Sequence, residues 1–329
     1  MSTTLFFLVP IGMLAIAWSL CFVGCIDKFD TSVAYSDTIL SEPSLVAYWP
    51  LSDLLLPLEL PGQTAAAGDI SGNHHDGTYT VPPAYPAAQF SKAIAAAGIA
   101  RGASLVPGDT GSPKNTLPAS VGFDGGYVNI PWNTPNSTPA DLTSFTFEAW
   151  IQPNFSAADA SSKMFHWVVF SAIGPNNTGF LVFIDENNNW QVMLGNGTTL
   201  QPVVTQPVPV NQNTPSNPNI DGYLAVTFDA TNNNTLSIWT TPGSDDSSGP
   251  PTANFTTTFS YLSVGPSQQM MFFIGAGDNN DPQNLRTKAN GPGAPLLPFQ
   301  GQIQSVALYS SALDPLKIQE HFDSGAGTF

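Results

Sequence analysis

The stretch Ser144-Phe-Thr-Phe-Glu-Ala-Trp-Ile-Gln-Pro153 alternates between two sets of side chains without a break. Successive side chains of a strand point to opposite faces, so this pattern predicts a strand with one apolar face buried. The apolar set comprises Phe145, Phe147, Ala149 and Ile151. The opposite set comprises Thr146, Glu148, Trp150 and Gln152. Pro153 has no amide hydrogen for a neighbouring strand, so we expect the strand to end there, as the central strand of a β-sandwich.

The composition excludes one class of function and indicates one class of fold. The 329 residues include only 8 Lys and Arg against 24 Asp and Glu, which gives a net charge of −16. Nucleic-acid binding needs clustered basic side chains that displace counterions, so we expect no nucleic-acid partner. A hydrophobic fraction of 42% allows a sizeable core, and 30 Pro with 28 Gly indicate a loop-rich β protein.

Residues 5–26 form an apolar run long enough to cross a bilayer as a helix. Three interpretations remain open. A cleaved signal peptide normally begins with basic residues, which residues 1–4 lack. A lipoprotein signal would place its lipid on Cys25, since Phe22-Val-Gly-Cys25 resembles a lipobox. We favour the third, a retained membrane anchor that holds the rest of the chain on the extracytoplasmic side. Both cysteines, Cys21 and Cys25, lie in this run, so the remainder can form no disulfide.

Several short motifs follow one another in a recognisable order around the opening stretch. They are Leu-Val-Ala-Tyr-Trp-Pro-Leu (45–51), Asp-Ile-Ser-Gly-Asn-His-His-Asp-Gly (69–77), Phe-Asp-Gly-Gly-Tyr-Val-Asn-Ile-Pro (123–131), Leu-Ala-Val-Thr-Phe-Asp (224–229) and Phe-Gln-Gly-Gln-Ile-Gln-Ser-Val-Ala-Leu-Tyr (299–309). With residues 145–153, this order resembles the LamG-like domains of the concanavalin A-like lectin-glucanase group.

The resemblance implies an all-β fold, a two-sheet antiparallel jelly-roll sandwich, preceded here by the N-terminal hydrophobic helix. The chain then divides into an anchor or signal segment (1–26), a polar spacer (27–43) and the jelly roll (44–329), which ends in a short helix over 314–322. Asn-rich segments at 185–189 and 231–234 are predicted hairpin turns, because Asn tolerates left-handed backbone conformations.

The acidic and histidine residues do not form a pattern typical of an enzyme. Some related sandwiches hydrolyse glycosides, which requires two carboxylates about 5 Å apart in retaining enzymes. Glu148 has no acidic residue two positions away, and Asp185 and Glu186 fall together in a predicted turn. The four histidines, His74, His75, His166 and His321, lie outside any Gly-x-Ser-x-Gly motif, and we expect each to be solvent-facing or internally satisfied. We therefore predict no catalytic residues.

A calcium ion is the cofactor that the resemblance implies. Related domains bind calcium near the Asp-x-Ser-Gly turn, which makes Asp69 the candidate ligand here. They also use the Asp of a Gly-x-Ile-Asp motif, and this chain has the neutral Gln304 there. The alternative is that Asp69 only caps its turn. Residues 278–281, Asp-Asn-Asn-Asp, offer further oxygen atoms.

The expected function is non-catalytic binding of a carbohydrate or a surface protein. Trp150 shares a strand face with Glu148, so an aromatic ring and a carboxylate could meet a sugar there. The alternative is that a loop covers Trp150; Trp132 and Trp190 are further aromatic candidates. Two other functions stay open: a structural or accessory subunit of a membrane-associated or filamentous surface assembly, and a glycoside hydrolase.

Overall fold

The structure is a computed structural model, and it describes residues 35–82, 98–102, 104–106, 120–132, 134–154, 167–174, 176–185, 187–204, 206–208, 210, 222–240, 252–265, 270–277 and 298–326. The predicted hydrophobic helix at 5–26, with Cys21 and Cys25, lies outside these residues. Within the described ranges, no helix has the length and apolar character needed to cross a membrane.

The described chain contains sixteen strands between two helices. Helix α1 is Tyr35–Leu40 and helix α2 is Pro315–Ala326. The strands are β1 (Leu45–Trp49), β2 (Thr64–Ala67), β3 (Gly77–Thr80), β4 (Gly98–Arg101), β5 (Val121–Asp124), β6 (Tyr127–Trp132), β7 (Phe145–Pro153), β8 (Trp167–Gly174), β9 (Thr178–Ile184), β10 (Trp190–Gly195), β11 (Leu200–Pro202), β12 (Gly222–Asp229), β13 (Thr235–Thr240), β14 (Thr252–Thr258), β15 (Met270–Ile274) and β16 (Gln300–Tyr309).

The strands form two antiparallel sheets of eight strands each, which confirms the predicted sandwich. Sheet A has the order β14-β13-β12-β7-β16-β5-β4, with β1 also paired to β16. Sheet B has the order β11-β10-β9-β8-β15-β6-β3-β2. Strand β7 lies between β12 and β16, so the opening stretch is an interior strand of sheet A, as predicted.

The main core lies between the two sheets and receives the predicted apolar face of β7. The Phe145 ring stacks on Phe180 of β9 with 3.9 Å between ring centroids, and Phe147 stacks on Phe170 of β8 at 5.0 Å. Each of these phenylalanines is fully buried. Burial of one such side chain contributes roughly 1.5–3 kcal/mol, so this stripe is a principal source of the contact energy between the sheets.

The Asn-rich turns have the backbone that the sequence predicts. Asp185 accepts hydrogen bonds at its Oδ1 from the amides of Asn187 and Asn189, at 2.8 and 2.9 Å. In the β12–β13 hairpin, Asn233 and Asn234 take φ values of 54° and 53°. Side chains that bond their own turn, together with tolerance of positive φ, make these residues suited to tight connections.

Two helices cover the outer face of sheet A, where the sequence allowed either a sugar-binding surface or a covering loop. Helix α2 begins where Asp314 accepts hydrogen bonds from the amides of Leu316 and Lys317, an N-cap that confirms the helix predicted near 314–322. Helix α1 comes from the part of the chain expected to be a polar spacer. A second apolar cluster fills the space between these helices and the sheet, and it comprises Tyr35, Ile39, Tyr48, Leu105, Val106, Trp150, Tyr223, Ala225, Ala307, Tyr309, Leu313, Ile318 and Phe322.

Candidate ligand-binding cleft

Trp150 lies beneath helix α2 and offers no ring face to a ligand. It is 2% exposed, its ring is parallel to that of Phe322 at 6.0 Å, and Tyr35 and Tyr223 meet it edge-on. A Cβ added at Gly325 would overlap the Trp150 ring, which shows how closely α2 approaches the strand. In this structure helix α2, rather than the loop weighed as the alternative, covers Trp150, and its role as a sugar platform stays a prediction.

Glu148 is also fully buried, at the centre of a hydrogen-bonded network. Its carboxylate accepts hydrogen bonds from the hydroxyls of Tyr309 (2.6 Å to Oε1), Tyr223 (2.5 Å to Oε2) and Tyr35 (3.4 Å to Oε1). The Nδ1 atom of His321, from α2, lies 3.1 Å from Oε2 and 3.2 Å from Oε1. A buried carboxylate is tolerated when paired and hydrogen-bonded in this way.

The network continues from His321 to the surface. Its Nε2 atom lies 3.4 Å from Oε1 of Glu42, which follows α1, and Lys317 lies 2.9 Å from the same oxygen. His321 thus bridges two carboxylates from different parts of the chain, and both helices are tied through it to the centre of sheet A.

The charges shift the pKa values inside this network in opposite directions. Burial alone would raise the pKa of Glu148, but the His321 imidazolium and the Tyr223 and Tyr309 hydroxyls outweigh burial and lower it. Burial alone would lower the pKa of His321, but Glu148 and then Glu42 outweigh burial and raise it. Burial, followed by the Glu148 charge, raises the pKa of Tyr223 well above its ordinary value. These shifts favour an ion pair between the Glu148 carboxylate and the protonated His321 imidazole. Because both side chains are buried, we interpret this pair as structural.

The candidate calcium ligand Asp69 is engaged with its own turn. Its Oδ1 accepts hydrogen bonds from the amides of Tyr48 (3.0 Å) and Ser71 (2.9 Å), and its Oδ2 from the amide of His75 (2.9 Å). Gln304 bonds instead to the amide of Leu105 at 2.5 Å. No group of three or more His, Cys, Asp or Glu placed to hold a metal occurs among the described residues, and residues 278–281 lie outside them.

The other aromatic and histidine candidates belong to the interior. Trp132 is stacked between His75 and Phe272, at 4.1 Å from each ring centroid, and Trp190 is 5% exposed in the main core. Neither tryptophan ring therefore lies at the protein surface. His75 is fully buried, whereas His74 is exposed. His166 lies outside the described residues.

A cleft of about 600 Å³ opens at one end of the sandwich. Five parts of the chain form its wall: the start of β1, the polar turn near residue 73, the segment 138–144 that enters β7, the β12–β13 hairpin, and the residue that follows β16. Its lining residues are Pro43, Leu45, Val46, Asn73, Thr138, Pro139, Ala140, Asp141, Thr143, Ser144, Ala230, Thr231 and Ser310. Hydroxyl and amide side chains thus lie beside small apolar ones, with a single carboxylate and no basic residue.

Internal hydrogen bonds hold the polar side chains of the cleft in place. Asp141 Oδ1 accepts from the amide of Thr143 at 2.9 Å and from its hydroxyl at 2.5 Å. Ser144 Oγ accepts from the amide of Ala230 at 3.0 Å and so joins the two walls. Sequence reasoning missed this cleft because its residues come from distant segments. The one sign of it in the sequence was the mainly polar segment Asp-Leu-Thr-Ser at 141–144, which directly precedes strand β7.

The fold defines the chain as a two-sheet antiparallel β-sandwich. No family model matches the sequence, and no curated protein matches it. The binding domain of botulinum neurotoxin DC, solved in complex with SialylT, is similar over 86% of this chain and 52% of its own, with 11% identity and a TM-score of 0.45. The binding domain of botulinum neurotoxin serotype D/C has 13% identity and a TM-score of 0.46, over 85% of this chain and 52% of its own.

A third solved structure is domain 4 of AbnA, an extracellular GH43 arabinanase from Geobacillus stearothermophilus, in complex with arabinotriose. It has 13% identity and a TM-score of 0.43, over 84% of this chain and 98% of its own. The chain spans about half the length of the toxin binding domains. Scores and identities this low give no ground for transferring a ligand, so what this chain binds has to be argued from its own geometry.

Proposed function

We propose that this chain is a non-catalytic binding module and that a carbohydrate occupies the cleft at the end of the sandwich. The observation that carries the proposal is the lining of the 600 Å³ cleft, where hydroxyl, amide and carboxylate groups alternate with small apolar side chains. A sugar has the matching surface, because its hydroxyl groups need polar partners while its C–H faces need apolar ones. Small-molecule binding sites in proteins typically have about this volume and a few convergent polar groups.

The lining of the cleft, as far as the structure describes it, supports binding without reaction. Glycoside hydrolysis needs two carboxylates on either side of the bond. Asp141 is the single acid among the lining residues, and Glu148 is sealed under α2 with its charge committed to His321. The ordered motifs described above further support membership of the LamG-like group, which we propose as the family.

We also propose that residues 5–26 tether the module to a membrane on the extracytoplasmic side. The support is the apolar run itself, because it is long enough to cross a bilayer. An intact mass of the mature protein tests this. A retained anchor leaves the full mass, whereas lipidation at Cys25 or cleavage after the run would shorten the chain and contradict the anchor.

The sugar-binding proposal is tested on a glycan array with the full chain in detergent and with a variant that fills the cleft. Thr138 is exposed at the rim, and its backbone amide bonds Asn73 irrespective of its side chain. Thr138→Trp should abolish binding, whereas Thr198→Trp, at an exposed position on the β10–β11 turn, should retain it. Absence of any glycan ligand for the unchanged chain would contradict the proposal.

A second candidate function is assembly with further copies of the chain. Leu55, Leu56 and Leu60 are 75%, 74% and 64% exposed. They precede β2, an edge strand that pairs only with β3 in the described part of the chain and that contains no Pro or charge to block pairing. Antiparallel pairing of β2 with β2 of a second copy would join two B sheets about a two-fold axis and cover the leucines.

Size-exclusion chromatography with light scattering tests assembly. A triple variant with Leu55, Leu56 and Leu60 changed to Ser should reduce an oligomer to a monomer. Leu316→Ser is the matched control, since Leu316 is 81% exposed on α2. A monomeric unchanged chain at high concentration would exclude this function.

A further inference from the structure

Four of the six cleft side chains that carry a hydrogen-bond donor direct it into the protein: Asn73, Thr143, Thr231 and Ser310. The Thr143 hydroxyl donates to Asp141, and the Thr231 hydroxyl donates to Asp229 at 2.7 Å. The Ser310 hydroxyl donates to the carbonyl of Ser44 at 3.3 Å. These hydroxyl hydrogens are therefore directed into the protein, while the oxygen lone pairs stay available to a ligand.

The amide of the cleft follows the same pattern. Asn73 Nδ2 donates to the carbonyls of Val46 (2.9 Å) and Leu45 (3.2 Å), so its N–H groups are committed to β1. Among the described residues, Asp141 has hydrogen bonds at Oδ1 alone, which leaves Oδ2 as a charged acceptor at the exposed rim. A charged acceptor forms hydrogen bonds roughly twice as strong as those of a neutral one.

The charge of the cleft also disfavours an anionic ligand. Asp141 is the one ionisable residue among the thirteen that line it, and the whole chain carries a net charge of −16. An anionic ligand would bring acceptors to an acceptor-rich wall and a negative charge to the Asp141 carboxylate. A neutral ligand with many hydroxyl hydrogens meets neither difficulty.

We infer that the cleft selects neutral sugars through their hydroxyl hydrogens and rejects uronic acids, sialylated sugars and other anionic glycans. This inference rests on the proposed function of the same cleft. Like charges about 4 Å apart near a protein surface repel enough to weaken binding at least about tenfold. Neutral oligosaccharides should therefore bind at least about tenfold more tightly than their uronic-acid counterparts.

Calorimetric titration of the full chain in detergent with three probe sets tests the inference. The probes are neutral hexose and pentose oligosaccharides, the corresponding oligosaccharides with uronic or sialic acid residues, and O-methylated forms of whichever neutral sugar binds best. Methylation keeps the oxygen acceptors and removes the hydroxyl donors. We expect binding of the neutral sugar, a loss of at least about tenfold on methylation, and equally weak binding of the anionic sugars.

The variant Asp141→Asn keeps an oxygen that can accept from Thr143 and removes the charge. It should weaken neutral-sugar binding severalfold and reduce the discrimination against anionic sugars. Glu59→Gln, an exposed acid outside the cleft, is the control for net charge and should change neither property.

The outcomes separate this inference from the proposed function. Anionic sugars that bind as tightly as neutral ones, at a site blocked by Thr138→Trp, would overturn the selectivity and leave the binding function intact. Tight binding of the methylated sugar would overturn the role of hydroxyl donors. Failure of every glycan to bind would contradict the proposed function and this inference with it.

Discussion

At the scale of single residues, Glu148 is the group on which the covered face of sheet A depends. Replacement by Gln preserves its shape but removes the nearer of the two carboxylates of the His321 imidazolium and puts an amide donor among tyrosine hydroxyl donors. Removal of one partner of a buried ion pair costs about 3–5 kcal/mol. We predict a decrease of that size in the free energy of unfolding of Glu148→Gln, measured by urea denaturation.

The control for Glu148→Gln is Glu320→Gln, an acid 53% exposed in its side chain that pairs with Lys317 on the surface of α2. Exposed pairs contribute about 1 kcal/mol or less, so this variant should resemble the unchanged protein. Equal effects of the two changes would mean that the buried network adds no stability.

The same network predicts how stability depends on pH. The pKa of His321 is raised above its ordinary 6.5, so its contribution is fully present below pH 6.5 and is lost as the pH rises through the raised value. The pKa of Glu148 is lowered below its ordinary 4.5, so its contribution is present above pH 4.5 and is lost as the pH falls through the lowered value. Stability from this pair is therefore greatest between about pH 4.5 and 6.5.

Melting temperatures measured from pH 3 to 9 check this dependence. We predict a decline on the alkaline side of the maximum, and His321→Gln should flatten that decline because Gln does not titrate. A profile of His321→Gln with the same alkaline slope would show that another group controls it.

Asp69 gives a prediction that separates a calcium site from a capped turn. If calcium binds, the melting temperature rises with the ion, by the equivalent of about 2.7 kcal/mol when calcium is a hundredfold above its Kd. We predict such a rise in calcium relative to a chelator for the unchanged chain and its loss in Asp69→Asn.

Asp69→Asn should also be less stable without calcium, because an amide nitrogen cannot accept from the amide of His75. Asp185→Asn, in the β9–β10 turn, is the matched control and should keep the response to calcium. A melting temperature of the unchanged chain that is independent of calcium would leave Asp69 as a turn cap alone.

At the scale of elements, helix α2 converts the outer face of sheet A into an interior. Phe322 is 1% exposed and parallel to the Trp150 ring, so its removal leaves a cavity above the central strand. Buried Phe-to-Ala changes cost about 3–5 kcal/mol. We predict a loss of this size for Phe322→Ala in urea denaturation, against less than about 0.5 kcal/mol for Leu316→Ala on the exposed side of the same helix.

The alternation in β7 was enough to predict its core face and its end but not what covers its second face. The same pattern fits a strand with solvent, a loop or a helix on that side. The C-terminal helix was predicted from its local sequence, yet its destination depends on long-range packing. Its buried positions Ile318, His321 and Phe322 recur at helical spacing, which was the one sign in the sequence that His321 faces inward.

At the scale of the whole molecule, the cleft was beyond sequence reasoning because topology alone brings its walls together. Asn73, Thr138 and Thr231 are far apart in the chain, and no sequence motif joins them. The fold could be predicted from the sequence because alternation and turn residues indicate each strand locally. A site built from the ends of several strands has no such local pattern.

The stability of the whole sandwich should be independent of disulfide chemistry. The two cysteines are Cys21 and Cys25, both before the first described residue, so strands and helices from residue 35 onward are held by packing and hydrogen bonds. Phenylalanine stacking between the sheets and the Glu148 network contribute to that stability without any covalent crosslink. We predict the same urea midpoint with and without a thiol reductant, measured on the full chain in detergent. A midpoint that falls in reductant would reveal a crosslink between copies of the chain through Cys21 or Cys25, and the double Cys-to-Ser variant, which should behave as the reduced protein, identifies it.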